Sequence, residues 1–78
     1  MRLVGTDQAC QGGNCAAVWV DDETGDLVLQ GAQVTDQDAL AELTAKSPRA
    51  PHETVVRIPA RMRDLVQEAC RDRATDVR

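Results

Sequence analysis

The stretch Cys15-Ala16-Ala17-Val18-Trp19-Val20-Asp21-Asp22-Glu23-Thr24-Gly25-Asp26-Leu27-Val28-Leu29-Gln30-Gly31, entered through Gly12-Gly13-Asn14, decides the fold. Two runs of bulky or β-branched residues flank an acidic segment that ends on Gly25. Glycine tolerates the left-handed conformation that a three- or four-residue hairpin loop requires. The pattern therefore predicts a β-hairpin over 16–31. Its register stays open, because a one-residue slip exchanges the face carrying Val18 and Val20 for the face carrying Trp19.

Reading upstream, Leu3-Val4 precedes polar residues, which fits a short edge strand or a weakly ordered segment over 1–9. Downstream, Gly31 marks the end of the second hairpin strand or a bulge. Thr35 then offers an N-cap, with Asp38 three residues on, for a short helix over 36–45 whose apolar stripe is Ala39, Leu40 and Leu43. Ser47-Pro48 stops it, and Pro48-Arg49-Ala50-Pro51 reads as an extended connector. Thr54-Val55-Val56-Arg57-Ile58 is strand-like. Pro59 suits the first turn of a helix, and Met62, Leu65, Val66, Ala69 and Cys70 recur at helical spacing over 59–72. Residues 74–78 are expected to fray. The reading is one α+β domain over 1–78: a small antiparallel sheet made of the hairpin 16–31 plus strand 54–58, the short helix 36–45, and the amphipathic helix 59–72 packed on one face.

Composition limits what such a domain can do alone. Of thirty-three apolar residues in 78, eleven are Ala, and Trp19 is the only aromatic. The large side chains are nine Val, six Leu, Ile58 and two Met. Burying each gains about 1.5–3 kcal/mol, while ordering each residue's backbone costs about 1–2 kcal/mol. A core this small is marginal, and small domains compensate with a disulfide, a metal or association.

The net charge of −4 is unevenly placed: residues 1–46 hold eight acids against Arg2 and Lys46, whereas residues 47–78 hold seven Arg against five acids. The acids cluster on the hairpin turn (Asp21, Asp22, Glu23, Asp26) and the basic excess lies on Arg57, Arg61, Arg63, Arg71 and Arg73. A solvated surface explains this most simply; two charge-complementary faces are the sharper reading. An acidic chain is a poor direct ligand for nucleic acid, whose phosphates dominate affinity. No apolar run approaches the roughly eighteen residues of a membrane span, and the beginning of the chain lacks the pattern of a secretory signal. A cytoplasmic location is expected.

Three cysteines and His52 are the only candidates for covalent or metal chemistry. In a cytoplasmic protein, Cys10 and Cys15 read first as reduced thiols, with Cys70 in the core as a small hydrophobe. A Cys10–Cys15 disulfide is the second reading, since the glycines between them allow the sulfurs to meet. A zinc site from Cys10, Cys15, His52 and Cys70 is the third, although its spacing is not that of a zinc knuckle. Gly12-Gly13-Asn14 lacks the repeated glycines and following helix of a phosphate loop. The acids of the turn have no apolar surroundings to raise a pKa. No catalytic residue and no cofactor are therefore expected. Trp19 reads as core first and as an interface anchor second, and a small sheet leaves edges that a partner can extend.

Gly12-Gly13-Asn14-Cys15, then Val18, Gly25 and Val28, and finally the strand leading into a Pro-started helix (Val55 to Leu65), resemble the small uncharacterised actinobacterial regulatory proteins of the BldB and WhiJ-partner type. The run Leu27 to Gly31 followed by Val34-Thr35-Asp36 is similar to members of the same group. The resemblance implies a gene beside a helix-turn-helix regulator, regulation through protein contacts, self-association in some members, and no catalytic residue. Together these readings give a non-enzymatic interaction module, a homo-oligomer or the partner of a helix-turn-helix DNA-binding protein. Trp19, Arg57, Arg61 and Leu65 are expected at its contacts. The alternative is a small zinc-binding or thiol redox-responsive domain built on Cys10 and Cys15.

Overall fold

The computed structural model describes residues 1–76, with side chains through Arg71. Strands β1 (Arg2–Thr6), β2 (Ala17–Val20) and β3 (Leu27–Gln30) form an antiparallel sheet in the order β1-β2-β3. The hairpin closes where expected, with Asp21 N–H donating to Asp26 O at 2.9 Å and Gly25 N–H to Asp21 O at 2.7 Å. Gly25 has φ +82°, the left-handed conformation the turn demands. Cross-strand pairing sets Val20 beside Leu27, Trp19 beside Val28, and Val18 beside Leu29.

That register settles which face is core. Val18 and Val20 are buried, together with Met62 and Ala69 of the C-terminal segment, whereas Trp19 is half-buried on the opposite face. The first reading of Trp19, as core, is therefore corrected. The reason lies in residue size and helix position. Val18 and Val20 are small enough to let the last helix come close, and Gly5 lets it come closer still. A Cβ at Gly5 would lie 2.7 Å from Leu65 Cδ2.

β1 is a true edge strand with a bulge. Leu3 pairs with Trp19, but the next pair is Gly5 with Val18, so Val4 is the extra residue. An inserted residue shifts every following side chain to the other face. Val4 packs against the core, and Asp7, odd-numbered like the outward Leu3, is carried round to the helix side.

Strand β4 (Ala32–Gln33) leaves the hairpin at Gly31 and pairs with β5 (Val56–Arg57) in a separate two-stranded sheet. The strand-like run 54–58 thus joins the residues after the hairpin rather than the hairpin itself, and only Val56–Arg57 is strand. Gly31 is the pivot: a Cβ there would stand 2.6 Å from Arg57 O, a backbone atom, so only glycine permits this close crossing. Between β4 and β5 runs helix α1 (Gln37–Lys46). Its N-cap is Asp36, one residue later than expected, because the Asp36 carboxylate accepts from Asp38 N–H at 3.2 Å. Nothing in α1 is buried, and Leu43 is 43% exposed.

Pro59 precedes a single 3-10 turn (Ala60–Met62) that runs into α2 (Arg63–Asp76). Met62 and Ala69 face the sheet fully buried, with Leu65 and Val66 partly so. Cys70 is exposed, which corrects its placement in the core: Ala69, one position earlier, takes the inward direction. α2 is continuous to Asp76; residues 77 and 78 of the tail expected to fray lie outside the described residues.

Within the sheet, α2 packs chiefly on β1 and β2. Leu27 and Leu29 belong to the helix-side face by register, yet they remain 37% and 39% exposed because neither helix packs extensively on β3. The whole chain is correspondingly open. Its radius of gyration is 14.2 Å, against about 11.5 Å for a compact domain of this length. It exposes 5970 Å², whereas a folded monomer of 8.5 kDa exposes about 4,650 Å².

Candidate functional site

Two features bring together side chains with specific chemistry: the loop joining β1 to β2, and the outer face of the three-stranded sheet.

The loop is closed by a Cys10–Cys15 disulfide, with S–S 2.02 Å and Cα–Cα 5.7 Å. This corrects the first reading, in which both cysteines were reduced thiols. It also removes the proposed zinc set, since the two bonded sulfurs are no longer thiolate ligands. His52 sits exposed in the connector and Cys70 is exposed on α2. Among the described residues no group of three or more His, Cys, Asp or Glu is placed to hold a metal. Gly13, at φ +82°, supplies the reversal that brings Cys15 back towards Cys10.

Asp7 begins the same loop and is 7% exposed. Its N–H donates to Ala16 O at 3.0 Å, its C=O accepts from Cys10 N–H at 3.2 Å, and its carboxylate accepts from Ala9 N–H at 3.0 Å. These bonds place both carboxylate oxygens before Arg61, whose Nε and Nη2 each donate at 2.7 Å. The fork is bidentate, the strongest arrangement of this pair. The Arg61 hydrogen bonds hold the Asp7 carboxyl below the usual carboxylate range, against the opposing effect of desolvation and with help from the Ala9 N–H. Arg61 is in turn raised by Asp7. The pair fastens the loop to the segment that starts α2.

A groove of about 450 Å³ runs beside the disulfide, lined by Asp7, Cys15, Gln30, Arg57 and Pro59 among others. Its acid is pinned in the ionised state by Arg61, which opposes proton donation, and its sulfurs are bonded to each other. Arg57 contributes an exposed guanidinium with no ion-pair partner among the described residues.

On the outer face, Leu3, Trp19 and Val28 form one cross-strand row. The Trp19 indole N–H donates to Gln30 Oε1 at 3.4 Å, and Gln30 Nε2 donates to Cys15 O at 2.9 Å. Gln30 thereby ties the indole to the disulfide loop.

Of the four expected contact residues, the structure places Trp19 on this open face and Arg57 on β5 at the rim of the groove. Arg61 is spent on Asp7, and Leu65 fills the space above Gly5. The four do not converge on one patch. Asp7 and Gln30 were missed. Asp7 and Arg61 lie 54 positions apart in the chain, and the bulge that turns Asp7 inward leaves no mark in the sequence. The one available signal was local: an Asp followed two residues later by a free backbone N–H is a turn former.

No protein-family model, no curated protein and no solved structure matches the chain.

Proposed function

We propose that this chain is a non-enzymatic protein-interaction module that completes its burial against another protein. One observation carries this reading: the described residues leave a set of large apolar side chains open on and beside the sheet. Leu3, Leu27, Val28, Leu29 and Leu43 are each at least 36% exposed. The partner is a second copy, a helix-turn-helix regulator of the kind the sequence resemblance implies, or both in one assembly. The proposed location is cytoplasmic; no helix among the described residues is long and apolar enough to cross a membrane.

The test is thermal unfolding at increasing protein concentration, followed by light scattering on the same samples. Association that stabilises the folded state raises Tm with concentration, by about 2.7 kcal/mol of added stability at a hundredfold excess over Kd. A Tm independent of concentration, in a monomer that binds no added partner, refutes the reading.

A second reading has its own support. The disulfide closes the loop whose backbone aims Asp7 at Arg61, so the thiol state is mechanically linked to the seating of α2. Disulfides of cytoplasmic proteins are characteristically transient and redox-sensing, which favours a module whose contacts respond to thiol oxidation.

A further inference from the structure

We infer that the partner is a second copy, joined through β3 in antiparallel register about a twofold axis at Val28, so that two three-stranded sheets become one of six strands. This rests on the interaction-module reading above and specifies its partner.

The backbone defines the register. At the turn Asp21 N–H bonds Asp26 O, and hydrogen-bonded pairs alternate along an antiparallel ladder. The N–H and C=O groups of Trp19 and Val28 therefore face each other, while those of Leu27 and Leu29 point away from β2 towards the open edge. Two such edges pair only when outward-pointing residues meet. With Leu27 of one copy opposite Leu29 of the other, every outward group on both strands finds a partner, and Val28 faces its own symmetry mate.

The side chains agree with this register. On the helix side, Leu27 and Leu29 of both copies fill the strip that α2 leaves uncovered. They become the floor of a valley between two α2 helices. On the outer face the row Leu3–Trp19–Val28 continues into its counterpart. The β3 edge itself carries no charge, and edge strands normally protect themselves with charge, proline or a cover. β3, Leu27–Gln30, has none of these.

Charge favours a second copy over an unrelated strand. The same register sets Asp26 against Gln30 of the other copy, not against another acid. It brings the acidic turn, whose Asp22 also pairs with Arg2 at 3.3 Å, to the end of the partner copy's β3, beyond which Gly31 turns the chain towards the exposed Arg57. The twofold makes this complement twice.

The experiment uses the full oxidised chain at micromolar concentration. Light scattering should give twice the chain mass. Leu29→Lys, which charges the edge without touching the β2 ladder, should halve that mass while circular dichroism stays unchanged. Arg57→Glu should weaken the dimer, most visibly at low salt, where exposed charges are least screened. Because Leu29→Lys could fail to fold, a second arm uses Val28→Cys in a Cys70→Ser background with a short bismaleimide. Efficient formation of covalent dimer is expected, while Asp22→Cys in the same background should give little. If the protein is a dimer that neither change affects, the β3 register is wrong although the module reading survives. A monomer that stably binds a different protein overturns the second copy and likewise leaves the module reading standing. A monomer that binds nothing ends both.

Discussion

Opening the Cys10–Cys15 bond should cost this domain a large share of its stability. The bond closes a loop with a sequence separation of 5, and the chain-entropy relation for a loop that small gives about 2 kcal/mol. Domains of this length hold about 4–12 kcal/mol in total, so the loss is felt. The perturbation is reduction by a phosphine, and separately the Cys10→Ser/Cys15→Ser double variant, each followed in urea by Trp19 fluorescence. With an m-value near 1 kcal/mol/M for a small protein, the midpoint should fall by about 2 M. Trp19 suits the assay because its indole is tied through Gln30 to the Cys15 carbonyl. Since the same loop positions Asp7, the Asp7→Asn effect should be smaller in the double-serine variant than in the oxidised chain, a non-additivity expected of coupled residues. An unchanged midpoint, or strict additivity, would refute the claim that the cross-link is what holds Asp7 in place.

Acid should act through Asp7 in a defined direction. Its folded pKa is depressed by Arg61, so its contribution is complete above the unfolded value, near 3.9, and is lost as pH falls through the lower folded value. Asp7→Asn should remove that component, giving a flatter stability profile between pH 5 and pH 2 on the same urea assay; a profile identical to the parent excludes it. Two glycines should rank clearly. Gly31→Ala forces a Cβ against the Arg57 carbonyl and should destabilise by about 2–3 kcal/mol, whereas Gly5→Ala meets only the movable end of Leu65 and should cost about 1 kcal/mol. Equal midpoints for the two would contradict the close crossing at Gly31.

Local chemistry made much of the fold readable. The turn closed by Gly25, the end of β3 at Gly31, the proline connector and the period of the last helix were visible because each depends on residues near one another in the chain. What was hidden depends on counting across distance. The bulge at Val4 has no signature, and without it Asp7 would face outward. Cys70 and Ala69 are neighbours on a helix, and a rotation of one position decides which is buried. The 54–58 run looks like a member of the main sheet by propensity, but the pinch at Gly31 turns its partner, Ala32–Gln33, out of that sheet. For the loop, the cysteine spacing allowed three chemistries and only the three-dimensional closure selected one. The candidate contacts were read by residue type, and type does not reveal that Arg61 and Leu65 are occupied within the fold.

The extra residue in β1 makes length a structural constraint at that end of the molecule. Any single-residue deletion between Leu3 and Asp7 would rotate the acid to the outer surface, away from the guanidinium it serves, however innocuous the amino acid removed. The segment is therefore constrained in the number of its residues as well as at Gly5 and Asp7, and a single insertion would turn the acid outward just as a deletion does.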